Sequence, residues 1–264
     1  MAEATASSIQ PDSDTPMDAD IVATIRAAEE LGLGVSLMPY IRLRGAQPGD
    51  WRGTIRPANV DRWWSSYGAF LRHYALLTQG RTKIFAIGSE LTSMSGNASE
   101  PRWERLAEDL RNIGSPRLAF VANHDALDLQ GPFAHVDVAG VSAYFPLSGP
   151  DDWEVHAGRL RRFSAEVERP LVIFELGFPS RRGALQRPWD HIAGTPVDVD
   201  AQALGYQSAT MALEDEDWLQ GLFFWAWYGE GGRYDRSYSP RGKPAMQWVR
   251  RFFKHFASLD SMGG

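Results

Sequence analysis

Two short apolar runs each carry a single glutamate near the C-terminal end. The first run, 83–91, places Glu90 there, and the second, 170–178, contains Glu175. Both runs are rich in β-forming residues and have the pattern of a buried strand in a parallel sheet. A charge in such a run is costly to bury unless it is paired or used. A structural ion pair with an arginine would explain either glutamate alone, but two strands that end alike predict a paired-carboxylate site.

Paired carboxylates without a metal or cofactor motif favour glycoside hydrolysis. In that reaction one carboxylic acid protonates the leaving oxygen, and the other carboxylate attacks the sugar or activates water. The chain has no cysteine, its six histidines lack metal-ligand spacing, and no phosphate-binding glycine motif occurs. We therefore predict neither a metal nor a cofactor. An aspartic-protease-like dyad lacks a suitable motif, and a sugar-binding barrel without turnover is the non-enzymatic alternative.

The composition argues against two classes of partner and suits a third. A net charge of −6 and a pI of about 5.5 argue against nucleic acid and against anionic membranes. No apolar run approaches the ~18 residues that a membrane span needs. Ten Trp, eight Tyr and thirteen Phe suit a cleft that stacks on the sugar rings of an oligo- or polysaccharide. No leader peptide is visible; the chain as written would be cytoplasmic and a longer precursor would allow secretion, so the sequence leaves the compartment open.

The predicted elements alternate between helix and strand, which indicates an α/β fold with a parallel sheet covered by helices. A polar segment, 1–17, is expected to be a loop or a frayed end, followed by one barrel domain over 18–264. The length fits a (β/α)8 barrel of the TIM type, which has about 250 residues. The predicted strands are 35–41, 83–91, 118–123, 138–145, 170–178 and 221–228. The predicted helices begin near 18, at 60 (ending at 77), at 101, at 153 (ending at 168), after a cap at Asp200, and at Pro244.

The loops show which face of the sheet would carry the site. Loops that leave strands are about 10 to 20 residues long, whereas loops that enter strands have only a few residues, and typical connections run to about 2–6. The long loops lie at the C-terminal ends of the strands, where barrel enzymes keep their active sites. Strand periodicity predicts that Glu90 points into the barrel together with Ala86 and Gly88, while Phe85 and Ile87 face the helices.

Several blocks, in order, resemble glycoside hydrolase family 113, a family of clan A (β/α)8-barrel, retaining endo-β-1,4-mannanases. The resemblance runs from about residue 18 to the end of the chain. The blocks are Ile87-Gly88-Ser89-Glu90-Leu91, Val121-Ala122-Asn123, 137–147, Phe174-Glu175-Leu176-Gly177-Phe178-Pro179-Ser180, Phe224-Trp225-Ala226-Trp227 and Gly242-Lys243-Pro244-Ala245.

This resemblance implies a role for four residues. Glu90 would be the acid/base, Glu175 the nucleophile, Tyr144 the tyrosine that hydrogen-bonds the nucleophile, and Trp225 the platform under the reacting sugar. Double displacement would need the two carboxyl groups about 5–5.5 Å apart. β-Mannan is the leading substrate, and another clan A specificity such as β-glucan is the alternative. Simple burial would also explain Tyr144 and Trp225.

Four further residues are candidates for substrate binding. Asn123 either donates to a sugar hydroxyl or caps the loop after its strand. Trp51, Trp103 and Trp189 lie in or beside the long loops and are candidate walls of sugar subsites. Two positions depart from the family pattern: Ser89 stands where many clan A enzymes have Asn, and Met38 stands where relatives often have Lys.

Only six strands can be counted, so the fold is predicted to lack the family's first two strands. Strand 35–41 would be the third strand of the family and strand 221–228 the eighth. Two bare strand edges would then offer unpaired backbone groups, and self-association through these open edges of the barrel is expected. The same deficit leaves a truncated or degenerate barrel with little turnover as an alternative function.

Overall fold

The structure is a computed structural model that describes residues 1–114, 116–129, 131–149, 151–190 and 194–262. Helices and strands alternate through this part of the chain. The strands are β1 (Ser36–Leu37), β2 (Ile84–Ser89), β3 (Arg117–Asn123), β4 (Val138–Ser142), β5 (Leu171–Leu176) and β6 (Leu219–Phe224). The helices are α1 (Asp18–Glu30), α2 (Val60–Leu77), α3 (Glu100–Asn112), α4 (Asp152–Glu166), α5 (Val199–Leu213) and α6 (Met246–Met262).

The predicted fold class is confirmed. The strands are ordered β1-β2-β3-β4-β5-β6 in the sheet, as in the chain, and the β1–β2, β2–β3 and β5–β6 pairs are parallel. Helix α2 has the predicted bounds. Helix α5 corrects one detail: the side chain of Asp198 caps it by accepting from the Ala201 amide at 2.9 Å, and Asp200 lies in the first turn.

The first strand is shorter than predicted. Only Ser36–Leu37 pairs with β2 instead of 35–41, and Pro39, which has no amide hydrogen, follows within two residues. Strands β4 and β6 likewise end at Ser142 and Phe224, before the predicted ends at 145 and 228.

Residues 1–140 form the first of two compact units. The buried face of α2 presents Trp63, Tyr67 and Leu71, and Trp103 of α3 is buried beside them. The pairing of β2 with β3 shifts register between Ala86 and Gly88. Because of this shift, the side chains between Ala86 and Glu90 do not alternate between the two faces of the sheet as predicted.

Gly88 lies on the side of the strand that faces α3. A Cβ on Gly88 would come within 2.6 Å of the Phe120 ring and 3.1 Å of the Trp103 ring. Both distances are too short for a side chain, so Gly88 allows close packing of α3 rather than forming a floor beneath Glu90.

The N-terminal segment contains no helix or strand up to residue 17, but it is not frayed. Met1 and Ala4 are buried. The carbonyl oxygens of Met1 and Ala4 accept hydrogen bonds from the amides of Arg44 and Arg56 at 3.0 and 2.9 Å. The first residues of the chain therefore pack on the loop that leaves β1.

Residues 141–264 form the second unit. Helix α5 contacts both α4 and α6, and Gly205 lets it approach the Phe178 ring, which a Cβ would meet at 2.6 Å. Phe224, at the end of β6, packs against Phe252 of α6 at a ring-centroid distance of 5.8 Å. Across the described residues of both units, no helix combines the length and the apolar character that crossing a bilayer requires.

Candidate active site

Glu90 directly follows β2 and is held in an unusual backbone conformation. Its φ angle is +54°, a region that non-glycine residues seldom occupy. Its amide donates to the Val121 carbonyl of β3 at 2.8 Å, and only 7% of the residue is exposed. Residues kept in such conformations cluster at active sites and ligand clamps.

Arg52 is paired with the Glu90 carboxylate. Its Nη1 donates to Glu90 Oε2 at 2.6 Å. Arg52 begins a short 3₁₀ turn, Arg52–Thr54, in the long loop that leaves β1. The ion pair anticipated as a structural explanation for Glu90 is therefore present, and its partner comes from a loop on the predicted working face.

Glu175 is the fifth of the six residues of β5. Its carbonyl accepts from the Ala143 amide at 2.7 Å, and its side chain accepts from Tyr144. The distance from the Tyr144 hydroxyl to Glu175 Oε2 is 2.8 Å, and both residues are 7% exposed. The hydrogen bond that the family resemblance implied between these two side chains is thus present.

Tyr238 packs beside Tyr144, and the sequence had not indicated it. The two rings meet edge to face with centroids 6.1 Å apart. The Tyr238 hydroxyl donates to the Pro188 carbonyl at 2.6 Å. Burial raises the pKa of Tyr238, and the nearby charge of Glu175 raises it further against the opposing effect of Arg181. Tyr238 therefore stays protonated and keeps its hydrogen bond at physiological pH.

A buried lysine connects the segment after β5 to the segment before α6. Lys243 Nζ donates to Ser180 Oγ at 2.7 Å and to the Ser237 carbonyl at 3.1 Å, and it pairs with Asp235 Oδ2 at 3.1 Å. Burial lowers the pKa of Lys243, and the hydrogen bond with Asp235 opposes that shift. This network fixes the residue next to Tyr238. Lys243 belongs to block 242–245, one of the blocks that resemble the family. That resemblance is the sequence feature that could have pointed to this lysine.

Trp225 follows β6 and lies beside the end of β5. Its amide donates to the Leu176 carbonyl at 2.8 Å, one residue after Glu175. Its carbonyl oxygen accepts from Tyr206 at 3.3 Å and occupies the space that a Cβ on Gly177 would need. Gly177 is therefore required for this approach. Trp225 is partly exposed, and its role as a sugar platform stays a prediction.

Two of the remaining tryptophans are on the surface. Trp51 is 36% exposed and precedes Arg52, with its ring lying over Gly53. Trp189 is 44% exposed. Both positions are accessible to a ligand, and their roles as subsite walls stay predictions.

Trp103 is buried, and Asn123 is hydrogen-bonded to a neighbouring side chain. Trp103 has no exposed surface, and its Nε1 donates to the Met94 carbonyl at 3.0 Å. A fully buried ring does not fit a subsite wall, so Trp103 is left out of the proposed site. Asn123 Nδ2 donates to Asp125 Oδ1 at 2.8 Å, a contact within the loop after β3, and both roles considered for Asn123 stay predictions.

The acidic and histidine side chains also bear on metal binding. Among the residues that the structure describes, no group of three or more such side chains is arranged to hold a metal ion.

Known proteins resemble this chain in sequence and in fold. The sequence model of Glycoside Hydrolase Family 113 matches residues 1–243. The GH113 β-mannanase AaManA from Alicyclobacillus acidocaldarius, solved with ManMIm, has 29% identity and a TM-score of 0.86, covering 97% of this chain and 84% of that chain. A second GH113 β-1,4-mannanase has 23% identity and a TM-score of 0.87, covering 96% and 84%. No match was found among curated proteins.

More distant similarity extends to other glycosidases. A fungal β-1,4-galactanase structure has 17% identity and a TM-score of 0.60, covering 88% of this chain and 80% of that chain. At this identity the likeness shows a shared fold. The family match, by contrast, spans most of the chain and includes both β2, which Glu90 directly follows, and β5, which contains Glu175. The chain therefore belongs to Glycoside Hydrolase Family 113 and is a glycoside hydrolase.

Proposed function

We propose that the protein hydrolyses β-1,4-mannan by double displacement, with Glu175 as the nucleophile and Glu90 as the acid/base. The observation that carries the proposal is the hydrogen bond from Tyr144 to Glu175 Oε2 at the C-terminal end of β5. Family membership and the 29% identity to a β-mannanase support mannan as the substrate.

Each glutamate has one part in the two steps. In the first step, Glu175 attacks the anomeric carbon while Glu90 gives its proton to the leaving oxygen, which forms a glycosyl-enzyme. In the second step, Glu90 removes a proton from water, and the water oxygen displaces Glu175. Tyr144 holds one oxygen of the nucleophile, and Trp225 supports the reacting sugar.

A reducing-sugar assay on β-mannan, β-glucan and xylan tests this proposal. We expect the highest activity on β-mannan and a first product with the β configuration, which proton NMR of the fresh hydrolysate measures. Glu175→Ala should abolish turnover with a native circular dichroism spectrum, since the covalent route is lost. Glu175→Ala with wild-type activity on every substrate would refute the nucleophile assignment.

The same assay separates the alternatives. Preference for β-glucan or xylan would indicate another clan A β-glycanase. Binding of mannan oligosaccharides without turnover of any substrate would indicate a sugar-binding barrel that has lost catalysis.

A further inference from the structure

We propose that Arg52 is a positioning residue for Glu90, which fixes one carboxylate oxygen and pairs the charge that appears when Glu90 gives up its proton. The proposal rests on the acid/base role of Glu90 proposed above. Arg52 belongs to none of the sequence blocks that resemble the family.

The two carboxylate oxygens of Glu90 differ in their hydrogen bonding. Oε2 accepts from Arg52 Nη1 at 2.6 Å. No hydrogen bond to Oε1 is found among the described residues. A guanidinium has only donors and keeps its charge in proteins, so it binds a carboxylate oxygen that carries no proton. The proton of the acid form therefore belongs on Oε1, the oxygen left for the substrate.

Arg52 is itself held in place by its surroundings. Its Nε donates to the Ile41 carbonyl at 3.3 Å, and its guanidinium lies over the Tyr40 ring at 4.7 Å. The turn beneath it is closed by three hydrogen bonds between Trp51 and Thr54, at 2.9, 3.0 and 3.1 Å. The side chains of Arg52 and Glu90 are 24% and 8% exposed. This pair is better shielded than the surface ion pairs whose contribution is usually small.

Because the charge on Glu90 differs between the two steps of the reaction, Arg52 affects the two steps differently. In the first step the O–H bond at Glu90 breaks, the proton goes to the glycosidic oxygen, and the carbon–oxygen bond electrons leave with the departing sugar. Glu90 becomes negative, and Arg52 pairs this charge. In the second step the carboxylate takes a proton from water and its charge disappears. Arg52 therefore favours the proton-donating step.

Arg56 provides a matched control in the same loop. Its Nη1 pairs with Asp50 Oδ1 at 2.8 Å and donates to the Thr54 carbonyl at 3.0 Å. Arg56 thus forms an arginine–carboxylate pair, and among the described residues it has no hydrogen bond or ion pair with Glu90. Arg56→Met removes a charge and a loop contact without touching the proposed acid/base.

The test is the dependence of kcat/KM on the leaving group for a series of aryl β-mannosides and mannobiosides. With poor leaving groups, Arg52→Met should reduce kcat/KM roughly 10- to 100-fold, the scale of one hydrogen bond to a charged group. With a dinitrophenyl leaving group, which needs no proton, the value should stay within a few-fold of wild type. Arg52→Lys should recover part of the loss, and Arg56→Met should show wild-type dependence.

The outcomes separate this proposal from the proposed function. An equal loss for all leaving groups, or no loss, would overturn the role of Arg52 while Glu90→Ala still showed the acid/base signature. Lack of turnover by the wild-type chain on every glycoside would overturn the proposed function and this inference with it. If Arg52→Met does not fold by circular dichroism, Arg52→Lys decides: a loss confined to poor leaving groups supports the role, and any other result rejects it.

Discussion

The hydrogen bond from Tyr144 to Glu175 gives the sharpest prediction for activity. Tyr144→Phe removes the hydroxyl that donates to Oε2 at 2.8 Å and keeps the ring that packs on Tyr238. Both partners are 7% exposed, so water cannot readily replace the donor. A hydrogen bond to a charged group contributes about 1.5–3 kcal/mol. At about 1.4 kcal/mol per factor of ten, kcat/KM should fall roughly 10- to 150-fold.

The assay is initial-rate hydrolysis of mannan oligosaccharides, together with thermal unfolding of each variant. Tyr67→Phe is the control because Tyr67 is also a buried tyrosine, and its hydroxyl donates to the Ile87 carbonyl at 2.8 Å. That variant should lose about 0.5–1.5 kcal/mol of stability and keep its kcat. If Tyr144→Phe were as active as Tyr67→Phe, the hydroxyl would have no part in holding a nucleophile, and the argument from this contact would be wrong.

Two further predictions concern backbone packing and acid stability. Gly177→Ala should cost about 1–3 kcal/mol and reduce activity, because its Cβ would collide with the Trp225 carbonyl; unchanged unfolding and kinetics would contradict this close approach. Burial alone would raise the pKa of Asp137, but hydrogen bonds from Arg111 and the Leu118 amide lower it below its ordinary 3.8. The carboxylate therefore stabilises the fold above pH 3.8, by about 1 kcal/mol after screening, and this contribution is lost as the pH falls through the lowered pKa. Urea unfolding from pH 7 to 2 should show the difference in unfolding free energy between wild type and Asp137→Asn shrinking as the pH falls, and a difference that stays constant would contradict the prediction.

Hydrophobic periodicity predicted correctly those elements in which the apolar residues keep one spacing over the whole length. Helix α2 has the predicted bounds because its apolar residues recur at helical spacing and bury Trp63, Tyr67 and Leu71. The same argument would have placed Trp103 in the core, since Leu106 and Leu110 share its face of α3. Its position near a long loop suggested a subsite wall instead.

The contacts around Glu90 could not be predicted from the sequence. The contact with Arg52 joins residues 38 positions apart, and the intervening loop has no periodicity from which a contact could be inferred. The register shift before Gly88 and the positive φ of Glu90 also break the alternation that strand patterns assume. The Tyr144–Glu175 pair was predicted because the resemblance carried both residues in fixed blocks.

The first residues of the chain pack on the loop after β1 and support it from behind. Met1, Ala2, Ala4 and Thr5 each supply a carbonyl to amides between Arg44 and Ala58, the stretch that also carries Arg52. Cutting the chain at residue 18, where the first helix starts, would keep every helix and strand yet remove the backing of this loop. We therefore expect that deleting residues 1–17 loosens the loop that carries Arg52 and weakens its ion pair with Glu90, while the helices and strands are retained.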